Sequence, residues 1–176
     1  MRIIKKEGNH KQELNKFWKR LEPGIDYKKF EEFACKLVSF ITDDRIVLIF
    51  QNFINEESEI DSIILNKNHQ FKSDIFIESK DTKKSKTSHI DQLNSNIDRH
   101  KSANIGFLVT RSRLSRNQLT RIKSLNDNSE IKILIPIQGP HIEEFFTNDE
   151  SIQDFLKRMI NYTLYDIYKL EITLSR

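Results

Sequence analysis

The chain predicts an α/β fold with a mixed central sheet of about five strands flanked by helices. Short apolar runs rich in β-branched residues recur at Arg45–Phe53, Glu59–Leu65, Ser73–Lys80, Asn104–Thr110 and Ile131–Ile137. Between and around them lie stretches whose apolar residues repeat at helical spacing. The first three runs follow one another without a helix, as in an antiparallel meander, whereas the last two each follow a helical stretch, which makes parallel neighbours. The resulting order is α-α-β-β-β-α-β-α-β-α, with an αβββαβ core.

Each element has its own signal. A first helix is expected over Lys11–Leu21, stopped by Pro23-Gly24. A second starts at Asp26, a suitable N-cap, and runs to Ile41, with Phe30, Phe33, Ala34, Leu37, Phe40 and Ile41 on one buried stripe. The strands at 59–65 and 73–80 form a hairpin through the polar turn Asn66–Gln70, with a loop over Lys67–Lys72. Ser88 with Asp91 resembles a capping box, and Ile90, Leu93 and Ile97 continue a helix to about Ser102. A further helix is expected over Ser115–Leu125, Pro136 weakens the last strand at its end, and the tail is helical over Ser151–Leu170.

The composition excludes several classes. With 176 residues, 37% of them hydrophobic and twelve Phe, the chain can bury a core as one domain without disulfides, and disorder is excluded. Cys35 is the single cysteine and lies in an apolar helical stretch, which excludes a disulfide framework and a cysteine zinc site. The longest apolar run, Ile46–Phe50, is too short to span a bilayer, and the first residues lack the apolar core of a signal peptide. A cytoplasmic protein is expected. The net charge of +3 permits a polyanionic partner without identifying one. His89 and His100 have no partner at metal-ligand spacing and read as ordinary surface or core histidines.

The chemistry concentrates on Asp74-Ile75-Phe76-Ile77-Glu78-Ser79-Lys80. In a strand, Asp74, Phe76, Glu78 and Lys80 share one face. The hairpin register sets Asp61 across from Glu78 and Glu59 across from Lys80, with Cβ atoms about 4.5–5.5 Å apart. Two opposed carboxylates must share a proton, separate or find a cation, and Mg²⁺ characteristically takes one or two carboxylates while keeping waters. Mn²⁺ is expected to substitute. Asp74, at the strand start, reads as a solvated carboxylate. Glu31 aligns with Ala34, Cys35 and Val38 at the margin of the buried stripe, where it can reach the sheet end; Glu32 lines up with Lys36 in an ion pair worth about 0.2–0.5 kcal/mol.

The element order, with acids and a lysine on the second and third strands, resembles the restriction-endonuclease-like superfamily, whose signature is written PD-(D/E)XK. The resemblance spans Tyr27–Phe146. Phe30-Glu31-Glu32-Phe33-Ala34 is similar to the helix start of the Mrr-type branch, Phe107-Leu108-Val109-Thr110 to its strand ending in Thr, and Ser58-Glu59-Ile60-Asp61 to a motif of archaeal Holliday-junction resolvases. Ile60 stands where the signature has Pro, and the Gly-rich approach of Mrr-type enzymes is missing. The resemblance implies that Asp61 and Glu78 bind the metal, that the Ser79 carbonyl adds a ligand, that Lys80 steadies the attacking water, and that Gln92 lies near the scissile phosphate. It divides the chain into an N-terminal accessory helix over 1–25, a nuclease-like core over 26–147 and a C-terminal helix packing on the core over 148–176.

Lys83, Lys84 and Lys86 follow the motif directly, and Arg111, Arg113 and Arg116 surround the end of the next strand, with Arg121 further along. Phosphate contact and simple solvation of a charged loop are both open for them. The expected function is Mg²⁺-dependent endonucleolytic cleavage of DNA in restriction, defence or repair, with RNA still open as substrate. A homodimer or a partner subunit would supply specificity. The alternative is a catalytically inactive nucleic-acid-binding or assembly module on the same fold.

Overall fold

The computed structural model describes residues 2–5, 10–42, 46–55, 58–65, 74–82, 85–100, 103–129 and 132–166. The chain opens with β1 (Arg2–Lys5), α1 (His10–Arg20) and α2 (Tyr27–Ser39). A meander follows, β2 (Ile46–Asn55), β3 (Ser58–Leu65) and β4 (Asp74–Lys80). Then come α3 (Thr87–Arg99), β5 (Ala103–Thr110), α4 (Arg116–Asp127) and β6 (Ile133–Gln138), and the described chain closes with α5 (Gly139–Thr147), α6 (Ile152–Asn161) and a π-helical turn at Tyr162–Asp166.

The six strands lie in sequence order across one mixed sheet. β1 to β4 pair antiparallel, whereas β4, β5 and β6 run parallel because α3 and α4 carry the chain back between them. Alternation along the strands sorts the side chains into two cores. Ile75, Ile77, Phe107, Val109, Ile135 and Ile137 face α1, α2, α5 and α6, whose Trp18, Phe30, Phe145 and Phe155 complete that side. Phe76, Leu108 and Leu134 face α3 and α4, against Ile90, Leu93, Ile97 and Ile122. Cys35 is buried in the first core. Among the described residues no helix is long and apolar enough to cross a membrane.

The α/β architecture with a helix-flanked mixed sheet agrees with the expectation, and the structure differs from it in three places. β1 is an additional strand, only four residues long, which gains its place by pairing with β2 at Arg2↔Ile49 to Lys5↔Ile46. α5 is a helix not expected from the sequence; it begins at Gly139-Pro140, with proline in the first turn, where no amide partner is lost. α3 starts one residue before Ser88, with Lys86 as its N-cap. The expected loop over Lys67–Lys72 and the end of the tail helix, 167–170, lie outside the described residues.

Pro136 is accommodated in β6, the last strand of the sheet. The Asn126 side chain accepts the Leu134 amide at 2.8 Å and donates to the Leu134 carbonyl at 3.1 Å, so residue 134 points its polar backbone away from β5. Residue 136 has the same parity, and its missing N–H therefore falls on the outer margin, where no ladder bond is lost.

Candidate active site

β4 ends at the carboxyl edge of the parallel strands, the edge from which α3 and α4 also depart. The β3–β4 ladder pairs Ser62↔Ile77, Ile63↔Phe76 and Ile64↔Ile75. One more step of that register brings Asp61 beside Glu78. There the Ser79 amide donates to Asp61 Oδ2 at 2.7 Å and the Ser79 hydroxyl approaches the same oxygen at 3.1 Å. A side chain thus takes a strand amide next to the end of the ladder. Because the amide and carbonyl of one strand residue point to the same side, the Ser79 carbonyl also opens towards Asp61. Glu59 pairs with Ile54 on the other side of β3, and its side chain lies outside the described residues.

Glu78 is 1% exposed, a carboxylate at the end of an apolar face. Its Oε1 lies 2.6 Å from Lys80 Nζ, which is also 3.7 Å from Asp61 Oδ2. Burial is the largest single influence on Lys80 and works to lower its pKa, but Asp61, Glu78 and Glu31 together outweigh it and hold the pKa above its ordinary value. Lys80 is therefore an ammonium at neutral pH. Glu31, half-buried on α2, reaches this cluster through its field on Lys80. Glu32 turns away and pairs with Lys36 at 3.5 Å.

The donor set has the chemistry of a hard-cation site. Two carboxylates already converge on one positive charge, and a strand carbonyl opens to the same side. Among the described residues no group of three or more His, Cys, Asp or Glu side chains gathers to hold a metal. A cation here would rest on Asp61, Glu78, the Ser79 carbonyl and water, the ligand balance that suits Mg²⁺ and suits zinc poorly.

The basic residues separate into two kinds. Lys86, Arg113 and Arg116 are exposed beyond the ends of β4 and β5, whereas Lys83 and Lys84 lie outside the described residues. Arg111 is instead committed to the protein: its Nε donates to buried Asp81 Oδ1 at 2.9 Å, and its guanidinium stacks 4.2 Å over Trp18 and 5.2 Å over Phe30. Its amide donates to the Lys80 carbonyl at 3.0 Å, and Asp81 Oδ2 accepts the Gly24 amide at 3.1 Å. Arg121 pairs with Asp91 at 2.9 Å on the surface of α3 and α4. Gln92 is exposed on α3, and Asp74 is half-buried at the opposite end of β4.

His89 is a neighbour that its sequence position conceals. Burial, then the charges of Lys80 and Lys86, lower its pKa, while Asp61 opposes them. Its Nδ1 accepts the Lys86 amide at 3.3 Å. The usable signal is topological: the first turn of a crossover helix stays close to the end of the strand it leaves, so a histidine there falls within reach of Lys80.

No family model and no curated protein matches this chain. Among solved structures, the small subunit of a heterodimeric restriction endonuclease superposes with a TM-score of 0.50 at 13% identity, covering 94% of each chain. That likeness concerns the fold, which is restriction-endonuclease-like.

Proposed function

We propose that this protein is a Mg²⁺-dependent endonuclease that hydrolyses phosphodiester bonds of DNA, in restriction, defence or repair, with Mn²⁺ able to replace Mg²⁺. The observation that supports this reading is the meeting of Asp61, Glu78 and Lys80 at the carboxyl end of β4, with Lys80 Nζ within 4 Å of both carboxylates. The likeness to a restriction-endonuclease subunit favours a nuclease over an unrelated use of the fold. Within that fold the Mrr-type branch is our proposed placement.

Asp61 and Glu78 would hold the cation, with the Ser79 carbonyl as a further oxygen. The cation would lower the pKa of a coordinated water and offset charge on the phosphate. Lys80, a permanent ammonium at neutral pH, would orient the attacking water and stabilise charge that develops on the phosphoryl oxygens. Asp61 keeps its orientation because Ser79 donates to it twice. Lys86, Arg113 and Arg116 would guide the backbone across the strand ends, and Gln92 and Glu31 would border the site. Specificity would come from a second copy or a partner subunit; the structural neighbour is itself one subunit of a heterodimer.

The deciding assay incubates the full chain with plasmid, linear duplex and RNA in Mg²⁺ and in Mn²⁺, then repeats it with Asp61→Ala and Glu78→Ala. Cleavage that both substitutions abolish supports the assignment. Cleavage that survives both removes the site, and salt-dependent DNA binding without cleavage under any divalent cation selects the inactive binding module.

A further inference from the structure

Four large apolar residues stand exposed among the described residues, and two of them, Ile25 at 68% and Tyr27 at 59%, share the corner between α1 and α2. Single exposed apolar residues are ordinary surface features. This pair differs in where it is and how firmly it is held. Gly24, at φ 77°, makes the left-handed turn that brings the chain around, and its amide is tied to the carboxylate of Asp81, the residue that directly follows Lys80. The Ile25 and Asp26 amides both return to the Glu22 carbonyl, at 3.2 and 3.3 Å, and Asp26 Oδ2 accepts the Glu22 amide at 3.2 Å. The corner is a closed turn anchored to the end of the candidate catalytic strand.

Its surroundings carry four cations against two acids, Glu22 and Asp26, both of which are engaged in closing the turn. Lys19 and Arg20 are exposed in the last turn of α1, and Lys28 and Lys29 are exposed in the first turn of α2. Lys29 is engaged with Asp26 at 2.9 Å, whereas Lys28 lies with its ammonium 5.9 Å from the Tyr27 ring. An aromatic face and a branched aliphatic tip, edged by cations and fixed beside a phosphodiester site, suit one class of surface: a polyanion whose interior is stacked aromatic rings.

We infer that the α1–α2 corner is a base-contacting wedge, in which Ile25 and Tyr27 press on the nucleobases next to the scissile phosphate while Lys28 meets the flanking backbone. This inference rests on the nuclease reading and adds to it the element that grips the bases. Stacking of a base on an aromatic side chain contributes about 1–3 kcal/mol, and apolar side chains wedged into base steps unstack them. The rigid anchoring lets the tip keep its shape on binding, which limits the ordering cost.

The test measures binding of the full chain to duplex DNA and duplex RNA in EDTA as a function of salt, for wild type, Ile25→Ser/Tyr27→Ala and Lys28→Ala. The double variant is expected to bind about tenfold more weakly with an unchanged salt slope, because lost apolar contacts release no counterions. Lys28→Ala should reduce the slope by about one phosphate contact. Photocross-linking to DNA carrying 5-iododeoxyuridine, mapped by mass spectrometry, should give an adduct at Tyr27. Melting temperatures that match wild type show that the exposed substitutions leave the fold intact. Tight binding by the double variant, or adducts confined to other residues, overturns the wedge and leaves the nuclease reading standing. Wild type that binds neither nucleic acid at low salt overturns both.

Discussion

Lys80 Nζ lies 2.6 Å from Glu78 Oε1, an ammonium against a carboxylate that is 1% exposed. With Asp61 and Glu31 adding to Glu78, the folded-state pKa of Lys80 exceeds its ordinary 10.5. The sign follows: stability gained by this contact is fully present below pH 10.5 and is lost as pH rises through the higher folded-state value. Lysine-resolved NMR should give a Lys80 midpoint above 10.5 in wild type and a lower one in Glu78→Gln. A wild-type midpoint at or below 10.5 would contradict the arrangement.

His89 titrates in the opposite sense. Burial and the charges of Lys80 and Lys86 hold its pKa below the ordinary 6.5. The unfolded chain then takes up the proton more readily, so this contribution to stability is present above pH 6.5 and disappears as pH falls through the folded-state value. The imidazole resonance of His89 should show a midpoint below 6.5, and Lys80→Met should move it upward by removing a positive neighbour. An unmoved midpoint would separate His89 from the site.

Asp81→Ala should destabilise the fold by about 3–5 kcal/mol, since it leaves the Arg111 guanidinium uncompensated against Trp18 and Phe30. At about 2–4 °C per kcal/mol, the melting temperature should fall by roughly 10 °C. Arg113→Ala, at an exposed position, should stay within about 0.5 kcal/mol of wild type. Equal melting temperatures for the two variants would show that Arg111 and Asp81 do not act as a strut.

Gly139→Ala tests the junction of β6 and α5. A Cβ there would lie 2.0 Å from the Arg111 carbonyl oxygen, a backbone atom that cannot swing aside. Calorimetry should show a loss of about 1–3 kcal/mol or more. At Gly106 the nearest atom, 2.5 Å away, is the mobile end of Ile97, so Gly106→Ala should cost less. A reversed order would place the tight contact elsewhere.

Local periodicity was enough to locate α2, the three meander strands and the crossover helices, because the apolar spacing of each is written in its own residues. β1 is invisible to that logic: four residues among charges become a strand only through β2. α5 is hidden by Gly139-Pro140, whose meaning depends on the strand before it. The register of β3 against β4 followed from the expected loop over Lys67–Lys72, where one residue more or less would turn Asp61 to the opposite face, and the observed Ser62↔Ile77 pairing is in the same register. Arg111 was not, since its partner Asp81 stands thirty positions upstream and only the parallel pairing of β4 with β5 brings them together. Electrostatic partners from different elements carry no sequence spacing of their own, and that is also why His89 reads from the sequence as an ordinary histidine.

The sealing of Leu134 by Asn126, with Pro136 two positions on, bears on how copies of this chain can meet. A visiting strand laid along β6 would find neither a free donor at 134 nor any donor at 136, so edge-to-edge polymerisation is blocked on that flank. Any assembly must therefore engage helices or loops instead of lengthening the sheet through β6. That restriction favours discrete, closed complexes over open-ended fibres on this side of the sheet.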